Sequence, residues 1–128
     1  MNPPEKVLLR YLAIDAHKYY VVIGGVNAEL DVVLQARRIQ LDELEDWLRA
    51  NLKPTDKVVI EATTNTWVIY DQVAGYAGEV VVAHPPPVKL IGGAVVKTDK
   101  HDVRRLAKLL AVGMIPEVWV PPRRARIA

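Results

Sequence analysis

From Val7 to Ala16 the chain is nearly continuous in apolar residues, the pattern of a strand covered on both faces. Tyr19 to Val26 and Asp31 to Ile39 follow as two further extended, β-branched runs. The short connections Ala16-His17-Lys18 and Val26-Asn27-Ala28-Glu29 predict that these three runs form an antiparallel meander. Leu41, Leu44, Leu48 and Leu52 then recur at helical spacing, with Asp42, Glu43, Glu45 and Asp46 on the other side, an amphipathic helix that Pro54 ends. Lys57 to Glu61 reads as a buried strand, Thr63 to Thr66 as a polar turn rich in helix caps, Trp67 to Ala77 as a helix and Glu79 to Ala83 as a short apolar strand. A strand, helix, strand unit of this kind implies a right-handed parallel crossover. Pro85 to Gly93 reads as a short helix or irregular segment, Asp99 to Val112 as the last helix, ended by Gly113, and Glu117 to Val120 as a possible extra strand. The expected class is α/β, with a mixed five-stranded sheet flanked by helices.

Length and composition narrow the picture to one domain. At 128 residues and 51% hydrophobic, the chain fits a single compact core, with neither repeats nor low-complexity blocks. No uncharged apolar run reaches the roughly 18 residues of a membrane span, and the start Met1-Asn2-Pro3-Pro4 lacks a signal peptide's apolar core, so no membrane role and a cytoplasmic location are expected. With 0 Cys and 3 His, thiol catalysis and cysteine zinc sites are excluded and imidazole chemistry is scarce. Gly24-Gly25 and Gly92-Gly93 lack the spacing of a phosphate-binding loop, which argues against a nucleotide-binding ATPase. Charge is uneven: residues 1–84 carry 8 basic and 12 acidic side chains, net −4, and residues 85–128 carry 9 and 3, net +6. Clustered bases suit a polyanion, although a solvated basic face has the same composition.

The acids carry the chemistry. Asp15 ends the apolar run Tyr11-Leu12-Ala13-Ile14, and Glu61 ends Val58-Val59-Ile60. If the two strands are neighbours, their carboxylates meet at one edge of the sheet; the alternative is that each caps a strand end in solvent. In the last helix, extending the stripe Val103, Leu106, Ala107, Leu110 backwards reaches Asp99 and Asp102, which therefore continue the core-facing side, unless Thr98 or Asp99 is only an N-cap with Asp102 in the first turn. Four converging carboxylates repel by about 1 to 4 kcal/mol per close pair unless cations lie between them. Mg²⁺ or Mn²⁺ prefers such oxygen donors, and pairs of these ions roughly 4 Å apart support phosphodiester chemistry.

The set Ile14-Asp15-Ala16-His17-Lys18, Glu61-Ala62-Thr63 and Lys97-Thr98-Asp99-Lys100-His101-Asp102, in this order and spacing, resembles the DEDD transposases of bacterial insertion sequences, a family that includes Piv-type DNA invertases and bridge-RNA-guided recombinases. The resemblance covers nearly the whole chain. It implies a RuvC-like domain of ribonuclease H-like fold over residues 1–120, with Asp15, Glu61, Asp99 and Asp102 as a catalytic tetrad binding Mg²⁺ or Mn²⁺. It further implies DNA as partner, a guide RNA in some members, and a homo-oligomer in the full-length protein. Two positions depart from the family pattern, Thr64 where Gly is common and Val103 where Ala is common; neither is a ligand. Family members continue through a helical linker into a second domain with a catalytic serine. Residues 121–128, with Arg123-Arg124-Ala125-Arg126, resemble the start of that linker, so the expectation is a fragment that does not complete recombination alone.

Lys18, Lys97, Lys100, Arg104 and Arg105 flank the tetrad and are candidate phosphate contacts; solvated helix positions would look the same. His101 lies between the two helix acids, and His17 and His84 are candidates of the same modest kind. Trp47 and Trp67 sit at helical positions and read as core packing, whereas Trp119, beside Pro121-Pro122, suits an interface. Two rival functions remain: a stand-alone Mg²⁺-dependent nuclease resembling Holliday-junction resolvases, and a non-catalytic nucleic-acid-binding or assembly module in which the acids are caps and strand ends.

Overall fold

The computed structural model of the chain describes residues 7–63, 65–84, 89–91, 94–96 and 103–121. Three strands open it: β1 (Arg10–Ala16), β2 (Tyr20–Asn27) and β3 (Val32–Gln40). Helix α1 (Leu41–Asn51), strand β4 (Asp56–Glu61), helix α2 (Thr66–Ala74) and strand β5 (Glu79–Ala83) follow. Two short strands, β6 (Lys89–Ile91) and β7 (Ala94–Val96), precede helix α3 (Val103–Ala111). The five longer strands form one sheet in the order β3-β2-β1-β4-β5. β1 pairs with β2 and β2 with β3 antiparallel, while β4 runs parallel to both β1 and β5.

Alternation along the central strands divides the core into two layers. Leu12, Ile14, Val21, Ile23, Val58 and Ile60 face one side, where Leu44 and Leu48 of α1 and Ile69 and Val73 of α2 close over them. Ala13, Val26, Val59, Val81 and Ala83 face the other, under Val103, Ala107 and Leu110 of α3. β1 is therefore covered on both faces, as its unbroken apolar run requires.

The expected element order is present, with local differences. β1 begins at Arg10 rather than Val7, because Leu9 leaves the ladder to donate its N–H to the Thr55 carbonyl at 2.7 Å. Within the segment expected as helix or irregular chain, Lys89–Ile91 pairs antiparallel with Ala94–Val96 as a hairpin. The tail does not form a full strand: Glu117 bridges Ala83, and the Val118 N–H donates to Val82 O at 2.7 Å, so the chain lies along the outer edge of β5.

One end of the β1/β4 pair is closed by an ion pair that hydropathy does not reveal. Arg10 and Asp56 are register partners. The guanidinium donates through Nε to Oδ1 at 2.7 Å and through Nη2 to Oδ2 at 2.6 Å. Asp56 is 0% exposed, and the Lys53 N–H donates to its Oδ2 at 2.8 Å. The hydrogen bonds to Asp56 hold the Arg10 pKa above its ordinary value against the cost of burial. Removing one partner leaves the other without its counter-charge, so Asp56→Ala is expected to lower unfolding free energy by about 3 to 5 kcal/mol in urea titrations, and Arg10→Ala by less because the arginine reaches solvent.

On the same α1 and α2 layer, Tyr76 Oη donates to Glu45 Oε1 at 2.6 Å, tying the turn after α2 to α1. That bond, foremost, raises the tyrosine's pKa. A raised folded pKa means that the stability it confers is complete below the unfolded value of about 10 and is lost as pH rises through the folded value. The stability difference between the unmodified chain and Tyr76→Phe should therefore be constant from neutral pH to about 9 and shrink above about 10.

Candidate functional site

The parallel register of β1 and β4 runs from Arg10↔Asp56 to Ile14↔Ile60, and the next residues are Asp15 and Glu61. Both follow the alternation of Ala13 and Val59 onto the α3 layer, and each is only 4% exposed. Strand spacing sets their backbones roughly 5 Å apart. The structure thus brings these two predicted acids together and excludes the alternative of solvent-facing strand caps. Asp99, Asp102, Lys97 and Lys100 lie outside the described residues.

The β4–α2 loop is fastened to the same edge. The Thr63 N–H donates to the Thr66 hydroxyl at 2.8 Å, and that hydroxyl donates back to Thr63 O at 2.6 Å. The Thr63 hydroxyl reaches the Ala16 carbonyl at 3.1 Å, and Ala62 N–H the Ala83 carbonyl at 2.7 Å, so Glu61 and Asp15 are held by bonds that cross three strands. Asn65, at φ 67°, turns the chain into α2. Beside this loop, Thr63, Thr66, Trp67 and Val118 line an open groove of about 500 Å³.

Asp15 has a neighbour that sequence reasoning ranked low. His17 Nε2 lies 2.9 Å from Asp15 Oδ2. Its ring stacks on Tyr20, centroids 4.5 Å apart and planes inclined by 19°, and the Arg38 guanidinium lies 3.9 Å from the Tyr20 ring centre. Asp15 pairs with Val22, and Val22 with Arg38, so these residues share the α3 layer. A polar band therefore crosses four strands: Arg38 on β3, Tyr20 on β2, His17 and Asp15 at the end of β1, and Glu61 on β4. The signal was present in the meander itself, since a short turn after Asp15 fixes which residue of β2, and then of β3, lies opposite.

The remaining predicted residues sort by element. Lys18 is exposed in the β1–β2 turn, its ammonium 5.3 Å from the Tyr19 ring centre. Arg104 and Arg105 are exposed on α3, opposite its buried stripe of Val103, Ala107 and Leu110. Trp47 packs against the core under α1 and α2, as expected, whereas Trp67 is half-buried, meets Tyr70 edge to face and lines the groove rather than the core. Among the described residues no group of three or more His, Asp and Glu side chains is gathered as a metal site. Two carboxylates, nine-tenths buried and adjacent, nevertheless supply the hard oxygen donors that Mg²⁺ and Mn²⁺ select.

Helix α3 reaches this edge because β2 has no side chain where the helix begins. A Cβ on Gly24 would meet Val103 Cγ2 at 3.0 Å and the Ala36 backbone at 3.2 Å. Gly24 pairs with Ala13, so Val103, the residue after Asp102, lies at a level about two strand positions, roughly 7 Å, back from Asp15.

Comparison with protein-family models gives no match, and comparison with curated proteins gives none. Among solved structures, Archaeoglobus fulgidus Pelota is similar at TM-score 0.35 and 11% identity, over 84% of this chain and 36% of that chain. The chain spans little more than a third of Pelota's length, and a likeness this weak assigns neither fold family nor function. The close seat of α3 has its own consequence: Gly24→Val should overfill the contact and lower stability by about 1 to 3 kcal/mol, read as a fall in the melting midpoint.

Proposed function

We propose that this chain is a RuvC-like domain of ribonuclease H-like fold from an insertion-sequence transposase of the DEDD type, acting in DNA strand cleavage and exchange. The observation that carries this reading is that Asp15 and Glu61 are both buried, each one residue beyond the last paired residues of two adjacent parallel strands. The mixed sheet of five strands, with β1 parallel to β4, is compatible with that fold. Asp15, Glu61, Asp99 and Asp102 would together hold Mg²⁺ or Mn²⁺, and the metal would polarise the phosphodiester and the oxygen that attacks it. Asp15 and Glu61 supply fixed negative charge on a rigid edge, and the loop bonds of Thr63 keep that edge in place. DNA is the proposed substrate, with a guide RNA and a second copy of the chain as partners in the complete protein.

Metal binding to the folded state stabilises it, by about 2.7 kcal/mol at a concentration one hundred times the dissociation constant. Mn²⁺ titrated into the protein should raise the melting midpoint, and Asp99→Asn and Glu61→Gln should each remove most of that rise. An unchanged midpoint in the unmodified chain, or a full response in both variants, would overturn the tetrad.

A further inference from the structure

The polar band does not end at the acids. On its far side, β3 is an edge strand, and Arg38 is exposed on the band's face of it, whereas Arg37, opposite Ile23, faces the α1 and α2 layer. Lys18, Arg37 and Arg38 form no ion pair with a carboxylate among the described residues, unlike Arg10 and Arg49. Two of these three cations lie against aromatic faces: Arg38 on Tyr20 at 3.9 Å and Lys18 near Tyr19 at 5.3 Å. Stacking of this kind fixes a guanidinium in one orientation while its edge donors remain available, which suits a phosphate better than a freely rotating chain does. Tyr19 is 68% exposed at the tip of the same turn. The Leu41 N–H donates to the Tyr19 carbonyl at 3.0 Å, so the first turn of α1, with Asp42 and Glu43, begins beside the tyrosine, while Arg38 lies on the α3 face of the sheet.

We propose that Lys18, Tyr19 and Arg38 form a docking surface for an unpaired nucleic-acid strand, whose phosphates Arg38 and Lys18 hold while a base stacks on Tyr19. An exposed tyrosine flanked by stacked cations is the arrangement that binds single strands: the ring takes the face of any base, and the cations take the backbone. A duplex hides its base faces, so Tyr19 has little to offer one. The surface adjoins Asp15 through His17 and Tyr20, and a strand lying on it would lead from the β3 edge toward the acids. This deepens the proposed reading by naming where the strand lies, and rests on that reading only for the direction of the strand.

The test is fluorescence anisotropy with labelled oligothymidine and oligouridine of about 15 nucleotides, alongside a duplex of the same length, all in EDTA. Without metal, strand binding succeeds or fails separately from the Mn²⁺ response of the tetrad. Whichever single strand binds tighter identifies the ligand as DNA or RNA. For that strand, Arg38→Ala should weaken binding about tenfold and lower the salt slope by about 0.7, as loss of one phosphate contact requires. Tyr19→Ala should weaken single-strand binding about tenfold while changing duplex binding less than about twofold. Both positions are exposed, and an unchanged melting midpoint confirms that each variant is folded. Lys53→Ala, at the exposed far end of α1, is the control. Binding unaffected by Arg38→Ala and Tyr19→Ala, or lost equally with Lys53→Ala, would overturn the surface.

Discussion

The in-register parallel pairing of β1 and β4 is the constraint on which the rest depends. It sets Arg10 against Asp56 at one end and brings Asp15 beside Glu61 at the other. The two ends solve the problem of buried charge in opposite ways. At the first, a bidentate guanidinium matches the carboxylate and a backbone N–H completes it. At the second, two acids share a face, and Asp15 meets His17 Nε2 at 2.9 Å. A slip of β4 by one residue along β1 would turn Glu61 into the apolar α1 and α2 layer, away from Asp15, and break the Arg10–Asp56 pair at the same time. The clamp at one end therefore fixes the register that sets the two acids side by side at the other.

Much of the fold was legible because the chain writes its elements in separate patterns. The apolar run ending at Asp15, the leucine spacing of α1 and the stripe of α3 each bury the residues their periodicity marks. Boundaries were less legible, since hydropathy cannot see a ladder: Val7 and Leu9 are apolar yet exposed, outside β1. Partnerships across distance were not legible at all. Arg10 and Asp56 are 46 residues apart, and nothing local distinguishes Asp56 from a solvated acid before a strand.

The candidate site divides along the same line. Asp15 and Glu61 could be singled out because each interrupts an apolar run, and an acid there needs a reason. His17, Tyr20 and Arg38 could not, because a histidine in a turn, a tyrosine opening a strand and an arginine on an edge are ordinary in isolation. Their meaning comes from register: Asp15 opposite Val22 and Val22 opposite Arg38 aligns them on one face. Gly24 is similar. Read as half of a glycine pair, it lacks a phosphate loop's spacing; in the sheet it is the position whose missing side chain admits Val103.

Register also revises what the charge asymmetry means. Dividing the chain by position makes residues 1–84 the acidic part, net −4, which would disqualify them as a polyanion surface. The fold sorts charge by layer instead. Four acids, Asp42, Glu43, Glu45 and Asp46, stand on α1, which covers one face of the sheet. The described part of α3, on the other face, has Arg104, Arg105 and Lys108 and no acid, and Arg38 joins it from the edge strand. A polyanion approaching the α3 layer meets cations from both halves of the chain, with the buried acids of β1 and β4 between them. Coulombic attraction acts through space with a screening length of about 8 Å at physiological salt, so the cations that matter are those sharing a face, whatever their distance in the sequence.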